Sequence, residues 1–383
     1  MVGMSDVDRA QRQKVPKHLL EGDPTEKVYL STERHRYQLV ALLGQGGVGD
    51  VYKVVQDDTK QQFALKTERG MNRKGSRLKI ELRVLKKIAE SKEVVRRRHF
   101  MRIVDRGYTN EFKYIVMDLV GKSLSDLQDC RKNKQFDLLT ATYLAYQTAE
   151  AIDNLHYFGF VHRDIKPQNF AVNEGPSSRT IFLLDFGTAR SYIEDKSKAM
   201  LFPRTKVKFV GTPNYASITG LSQKEQGRKD DYESWFYMIV EFINADLFTW
   251  HPVPVLATWI DAKVKFMSDD CLAKSLPKQY ILIRDYIYKL KYESIVDIDY
   301  IKRLLLKSQK LSTISECIMA TKDEQLSVHK ILNKRAVDAE REQEEASKGH
   351  TVSMTLTNES TTESKTDGDA ELATVKSTEE RGA

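Results

Sequence analysis

Four short stretches of this sequence hold residue types that handle phosphate groups and hard metal ions. Gly44, Gly46 and Gly49 stand at GxGxxG spacing within Leu43-Gly44-Gln45-Gly46-Gly47-Val48-Gly49-Asp50-Val51. Without side chains there, backbone N–H groups can approach phosphate oxygens. Lys66, in Phe63-Ala64-Leu65-Lys66, offers a cation, and Glu81 a carboxylate able to orient it. His162-Arg163-Asp164-Ile165-Lys166-Pro167-Gln168-Asn169 gathers a candidate base, a cation and an amide oxygen. Leu184-Asp185-Phe186-Gly187 adds a further carboxylate. Together these types suit transfer of a phosphoryl group. Asp185 and Asn169 would be oxygen ligands for a hard cation such as Mg2+, with Mn2+ as an alternative, and Lys66 would hold phosphate oxygens. Asp164 would orient an acceptor hydroxyl, and Lys166 would neutralise charge on the group in transfer. Singly each signal has a bland reading: a lone Lys or Glu is usually a solvated surface residue, and Phe186 is an ordinary core aromatic.

The surrounding elements decide between these readings. A dinucleotide-binding fold uses the same glycine spacing but starts a helix within the glycines. Here Val51-Tyr52-Lys53-Val54-Val55 follows, a strand-forming run, so the glycines belong in a hairpin between strands. Short β-branched or alternating runs predict strands over 37–43, 51–55, 63–67 and 114–119. Leu78, Leu82, Leu85 and Ala89 at helical spacing predict a helix over 76–90, which carries Glu81. Glu68 is a competing carboxylate, since two residues along a strand it shares the face of Lys66. After Gly121 the texture turns helical, over 140–158, 231–243, 277–290 and 299–310. Asp231, at the start of a very apolar stretch, is expected to cap helix N–H groups.

Composition bounds the rest. The chain has 383 residues, a formal charge of +7 and 40% hydrophobic residues. Residues 336–383 hold 12 acidic and 5 basic side chains, so the remainder carries a surplus of about +14. Few large apolar residues remain in that tail, too little to offset chain entropy, and it is expected to be disordered. Cys130, Cys271 and Cys317 lie far apart with no CxxC pair, which argues against a disulfide framework or zinc site and for a reducing interior. No apolar run suits a membrane span, and the N-terminus lacks an apolar signal core. The expected setting is soluble and cytoplasmic, with the nucleus as a second compartment, and the expected state a monomer. No nucleic-acid recognition motif accompanies the basic charge.

The four stretches, in this order, resemble those of protein kinases, and Lys166 two residues after Asp164 marks kinases acting on Ser or Thr. Gly211-Thr212-Pro213-Asn214-Tyr215-Ala216-Ser217-Ile218 replaces the usual Ala-Pro-Glu element. Together with Gly227-Arg228-Lys229-Asp230-Asp231 and Ser234-Trp235-Phe236-Tyr237-Met238, it resembles the casein kinase 1 superfamily, most closely its tau-tubulin kinase branch. The resemblance implies an α+β, bilobal fold. A small antiparallel β-sheet N-lobe with one helix (37–120) would precede a larger, mainly helical C-lobe (121–315). A flexible extension over 1–36 would come first, and a helical extension over 316–335 would lead to the tail. It implies ATP contacts from Leu43 to Val51, namely Leu43, Gly44, Gln45, Gly46, Gly47, Val48, Gly49, Asp50 and Val51. Ala64, Lys66, Glu81, Met117 as gatekeeper, and Asp118, Leu119 and Val120 at the hinge complete the set. Asp231 in such proteins also steadies the catalytic loop. One departure concerns substrate choice: Asn214 stands where the family places an arginine, and Asp261 falls near an expected lysine. Arg204, Lys206, Lys208, Arg228 and Lys229 keep basic charge nearby and suggest protein substrates with Ser or Thr acceptors in acidic context. A pseudokinase scaffold, a small-molecule kinase and a nucleic-acid-binding protein are the rival readings.

Overall fold

The computed structural model describes residues 19–20, 27–47, 49–70, 75–173, 180–248, 250, 256–268, 270–311 and 313–314. Val48, most of residues 1–26, the helix expected over 316–335 and the tail over 336–383 lie outside the described residues.

Six strands form one antiparallel sheet in the order β1-β2-β3-β4-β6-β5. They are β1 (Tyr29–Ser31), β2 (Arg36–Gln45), β3 (Asp50–Gln56), β4 (Gln62–Arg69), β5 (Ile103–Tyr108) and β6 (Phe112–Asp118). Period-2 alternation splits the sheet into two apolar faces. Tyr37, Leu39, Tyr52, Val54, Leu65 and Val116 pack on one side. Val51, Ala64, Ile115 and Met117 line the other, where Phe182 and Leu184 of the second lobe meet them. The glycine run is the β2–β3 hairpin. Gly49 is forced to be glycine, because a Cβ there would lie 1.8 Å from the Thr67 carbonyl oxygen of β4.

Helix α1 (Arg77–Ala89) follows the sheet's first half, capped by Ser76, whose hydroxyl accepts from Lys79 N. Its buried stripe is Leu78, Glu81, Val84, Leu85 and Ile88, at i, i+3, i+4 spacing. Glu81 therefore sits in an otherwise apolar row, which aims its carboxylate inward.

The second lobe is mainly helical. It contains α3 (Leu124–Asp129), α4 (Leu138–Tyr157), α5 (Ile218–Leu221), α6 (Arg228–Ile243), α7 (Leu256–Ser268), α8 (Lys278–Lys289) and α9 (Ile298–Ser308), while the single turn α2 (Val94–Arg97) lies between α1 and β5 in the chain. Two short antiparallel pairs cross its upper surface. One joins β7 (Phe160–Val161) to β10 (Arg190–Ser191), the other β8 (Phe170–Val172) to β9 (Ile181–Leu183). Trp235, Phe236, Tyr237, Met238, Ile239 and Val240 of α6 are all fully buried, so this helix is wrapped by protein on every side. Its first turn is capped by Asp230, which accepts from Gly227 N at 2.7 Å. Asp231 does not take the capping role expected of it and is free for another.

An ion cluster ties the helical shell together. Glu150 of α4 accepts from Arg98 and from Lys302 Nζ of α9 at 3.1 Å, with His99 Nε2 at 3.6 Å. Burial would raise this carboxyl, but His99, Lys302 and Arg98 outweigh it and hold the pKa down to about 2. A depressed carboxyl pKa stabilises above the ordinary value of 4.5, and that contribution disappears as pH falls from 4.5 towards about 2. Urea unfolding at several pH values checks this. The wild-type protein should lose stability across that window more steeply than Glu150→Gln.

Candidate active site

The site forms where three pieces of chain converge on Lys66. From β4, Lys66 Nζ donates to Glu81 Oε2 of α1 at 2.6 Å and to Asp185 Oδ1 at 2.8 Å. Burial alone would lower the lysine pKa. The Glu81 and Asp185 carboxylates outweigh it and hold the ammonium above its ordinary range. Asp185 is half-exposed; the desolvation it feels would raise its carboxyl, but Lys66 outweighs it and keeps the group below the usual carboxylate value. Glu68 does not compete for Lys66. Its Oε2 accepts from Leu78 N at 2.6 Å, anchoring the start of α1 to β4.

Asp185 adopts a left-handed backbone, with φ +58°, which costs a non-glycine residue on the order of 1–3 kcal/mol. Several contacts hold it there. Asp185 Oδ1 accepts from Gly187 N at 3.3 Å, Leu184 N donates to Asn169 O at 2.8 Å, and His162 Nε2 lies 2.9 Å from Leu184 O. Phe186 is fully buried against Phe100 and His162, with ring centroids 5.9 and 5.6 Å apart. The ordinary reading of Phe186 as a core aromatic fits this position, directly beside Asp185 in the chain.

The catalytic-loop residues converge on a hydroxyl from the later segment. Thr212 Oγ1 donates to Asp164 Oδ1 at 2.7 Å and accepts from Lys166 Nζ at 2.8 Å. Lys166 Nζ is also 2.8 Å from Asp164 Oδ2. Asn169 Nδ2 donates to Asp164 O at 2.7 Å and lies 3.3 Å from Asp164 Oδ2. Gly211 permits this closeness: its φ is +110°, and a Cβ there would lie 2.5 Å from Arg163 O. Asp231 fixes the loop from below. It accepts from His162 N at 2.7 Å and Arg163 N at 2.8 Å, with His156 Nε2 at 2.8 Å. The steadying role expected of Asp231 is present, and capping passes to its neighbour.

Arg163 points into a basic cluster, with Nε donating to Thr188 O at 2.8 Å. Burial pushes its guanidinium down to about 10, Glu225 opposing. Glu225 is paired with Arg190 at 3.4 Å and with Arg204. A carboxylate from the chain itself thus sits among these arginines.

Of the expected adenine-side residues, Asp118, Leu119 and Val120 border an open hollow of about 450 Å3 together with Gln61, Gln62, Phe63 and Arg102, a hollow that Lys66, Met117 and Asp185 do not line. Val51, Ala64 and Met117 belong to the apolar cluster beside it, together with Leu119 and Val120. Leu43, Gly44, Gln45, Gly46 and Gly47 lie exposed along the hairpin. At two of these residues the side chain is engaged elsewhere. Asp50 was expected at ATP, but strand alternation turns its side chain to the face opposite Val51. There it is 2% exposed, accepts from Tyr52 Oη at 3.1 Å and pairs with Arg69. Asp118 offers the hinge only its backbone, because Arg102 takes its carboxylate through N, Nε and Nη2 at 2.9–3.1 Å.

The basic residues read as a substrate surface are largely engaged within the chain. Arg204 is held by Glu225, and Lys229 by Asp230 at 2.8 Å and Glu233 at 3.7 Å. Arg228 donates to Glu293 O at 3.0 Å and stacks on Tyr192. Lys206 and Lys208 are exposed, with no acidic partner among the described residues. Near Asp261, which is exposed, the sequence reading missed Lys263. That side chain is fully buried and reaches the segment through Asn214. The available signal was its position in the row Trp259, Lys263, Phe266, Met267, a charge on an apolar helical stripe.

Residues 37–337 match the protein kinase domain, and the chain belongs to the protein kinase family. Among its relatives, a Caenorhabditis elegans protein named as a serine/threonine-protein kinase is 39% identical over 193 residues, covering 50% of this chain and 57% of that protein. The serine/threonine-protein kinase spe-6 of the same organism is 34% identical over 213 residues, 56% of this chain and 54% of its own length. A Dictyostelium discoideum protein named as a serine/threonine-protein kinase is 32% identical over 271 residues, 70% of this chain and 53% of that protein. The chain spans little more than half the length of these three relatives.

The anchoring of the catalytic loop is testable. Asp231→Ala strips the acceptor from two backbone N–H groups and a histidine, leaving buried donors unpaired. It should cost about 2–5 kcal/mol of stability, measured by urea unfolding; a change under about 1 kcal/mol would contradict the anchor.

Proposed function

We propose that this protein is a Mg-ATP-dependent serine/threonine protein kinase, transferring the γ-phosphoryl group of ATP to Ser or Thr hydroxyls of protein substrates. The observation that carries the reading is the simultaneous closure of two constellations. Lys66 touches both Glu81 and Asp185, while Asp164, Lys166 and Thr212 form one hydrogen-bonded group. The first gathers the phosphate-side charges, the second the acceptor-side ones.

Each residue then has a role it can perform from where it stands. Lys66, kept charged by its two carboxylates, holds ATP phosphates. Asp164 accepts and orients the hydroxyl proton of the acceptor, and Thr212 marks the position such a hydroxyl can reach. Lys166 balances negative charge between Asp164 and the arriving phosphoryl group. Asp185 and Asn169 would hold Mg2+, or Mn2+ in its place. Two hard oxygen ligands fit an ion that takes its remaining oxygens from phosphates and water. When bound, the metal neutralises charge on the phosphate oxygens. The protein's own contribution is positioning and fixed electrostatics.

The finer family placement, near the tau-tubulin kinase branch of the casein kinase 1 superfamily, is supported by the Tyr215-Ala216-Ser217-Ile218 element. A preference for acidic context would now rest on Lys206 and Lys208, since Arg204, Arg228 and Lys229 are committed elsewhere. We further propose a cytoplasmic, monomeric enzyme with protein substrates. No helix among the described residues is long and apolar enough to cross a membrane.

Asp185→Asn should abolish phosphoryl transfer, by a factor of about 10³ or more in kcat, while the variant unfolds in urea as a cooperative protein. Turnover within tenfold of wild type would sink the scheme. A peptide array comparing acidic with neutral flanks checks substrate context, and equal phosphorylation of both would remove the acidic preference.

A further inference from the structure

The largest unexplained charge in the second lobe is Lys263 of α7. Its residue is fully buried, and no ion pair involves it among the described residues. Instead its ammonium donates to three backbone carbonyls: Ala216 O at 2.7 Å, Asn214 O at 2.8 Å and Pro213 O at 3.3 Å. Beneath it lie two aromatic faces, Tyr237 at 4.2 Å and Trp250 at 5.0 Å from the ring centroids. Trp250 Nε1 adds a second donor to Asn214 O at 3.2 Å. A cation buried without a carboxylate is costly and persists only where its surroundings supply oriented dipoles and π-faces.

Those three carbonyls belong to the segment directly after Thr212, the hydroxyl shared by Asp164 and Lys166. We propose that Lys263 is a positioning residue of the acceptor side: its ammonium pins the 213–216 carbonyls and so holds Thr212, and the surface an incoming peptide must meet, against Asp164. The inference deepens the kinase reading and rests on Asp164 as the acceptor-orienting group. It extends that reading to a residue far from the phosphates, which should govern protein substrate and leave nucleotide untouched.

The environment also makes the charge conditional. Burial pushes the Lys263 ammonium down to about 7, with Glu233 opposing. The titratable groups facing it come from α6: Glu233 and Tyr237, themselves joined by a hydrogen bond of 2.8 Å. The segment above turns its Tyr215 hydroxyl to Glu241 at 2.6 Å, and Asp261 and Lys265 of α7 are exposed. A lysine whose pKa is lowered on folding is charged below that value and neutral above it. The pinning should weaken as pH rises through about 7.

The test uses the full chain and Lys263→Met, which keeps length and apolar fit while removing the charge. Hydrogen exchange reads the segment directly, whether or not the protein turns over. Amides of 212 and 214–217 should exchange about tenfold faster in the variant, with β4 and α1 unchanged. For activity, the probe is the best-phosphorylated serine peptide of a degenerate library. Peptide kcat/KM should fall about ten- to a hundredfold, with the KM for ATP unaltered. The wild-type peptide kcat/KM should decline from pH 6 to 8 more steeply than that of the variant. Unchanged exchange over 212–217 would overturn the proposal, and so would an equal loss of ATP and peptide affinity. Failure of the kinase reading itself would look different: wild-type protein transferring no phosphate to any peptide, with the exchange result standing.

Discussion

The contact between Lys66, Glu81 and Asp185 is the constraint on which the active arrangement depends. Each residue comes from a different piece of chain: a strand of the sheet, the helix beside it and a loop of the second lobe. Glu81 is buried, Lys66 is largely covered, and Asp185 keeps 47% of its side chain exposed. The two carboxylates hold Lys66 charged against burial, and without Lys66 the Glu81 carboxylate would lie buried and unpaired. The energetics of the cluster therefore enforce its geometry. If α1 swings outward, or if Asp185 leaves its left-handed conformation, a charge is stranded. Glu68, by accepting from Leu78 N, fixes the near end of α1 and narrows that freedom.

The acceptor side is built by a different logic. Asp231 spends its carboxylate on backbone N–H groups of residues 162 and 163, so the catalytic loop hangs from the most deeply buried helix. Thr212 closes the group from the other direction. Glu225 meets the arginines near Arg163 with a carboxylate from the same chain. Part of the repulsion among these arginines is thereby offset. Fixed dipoles and charges, set in place before substrate arrives, are what phosphoryl transfer asks of a protein.

How much of this was legible in the sequence depends on the kind of signal. The β2–β3 hairpin, α1 and α6 follow from periodicity, and the Lys66–Glu81 pair from the apolar row that carries Glu81. The octet at 162–169 stood out by its residue types, and Asp164 and Lys166 do come together there. β5 was hidden because Asp105, Arg106 and Gly107 interrupt its pattern. Asp50 was misplaced because motif membership says nothing about which face a strand residue takes. The basic patch was overread because pairing with Glu225, Asp230 and Glu233 is tertiary, and no local pattern reveals it. Lys263 was missed for the opposite reason: its partners are carbonyls and rings, which carry no charge to look for.

The central claim is that these two constellations together move the γ-phosphoryl group of ATP onto an aliphatic hydroxyl. The most direct measurement incubates the protein with γ-labelled ATP, Mg2+ and a degenerate peptide library containing Ser, Thr and Tyr, followed by phosphoamino acid analysis. The account predicts label on serine and threonine and none on tyrosine. Label on tyrosine, or ATP hydrolysis with no labelled peptide, would contradict it.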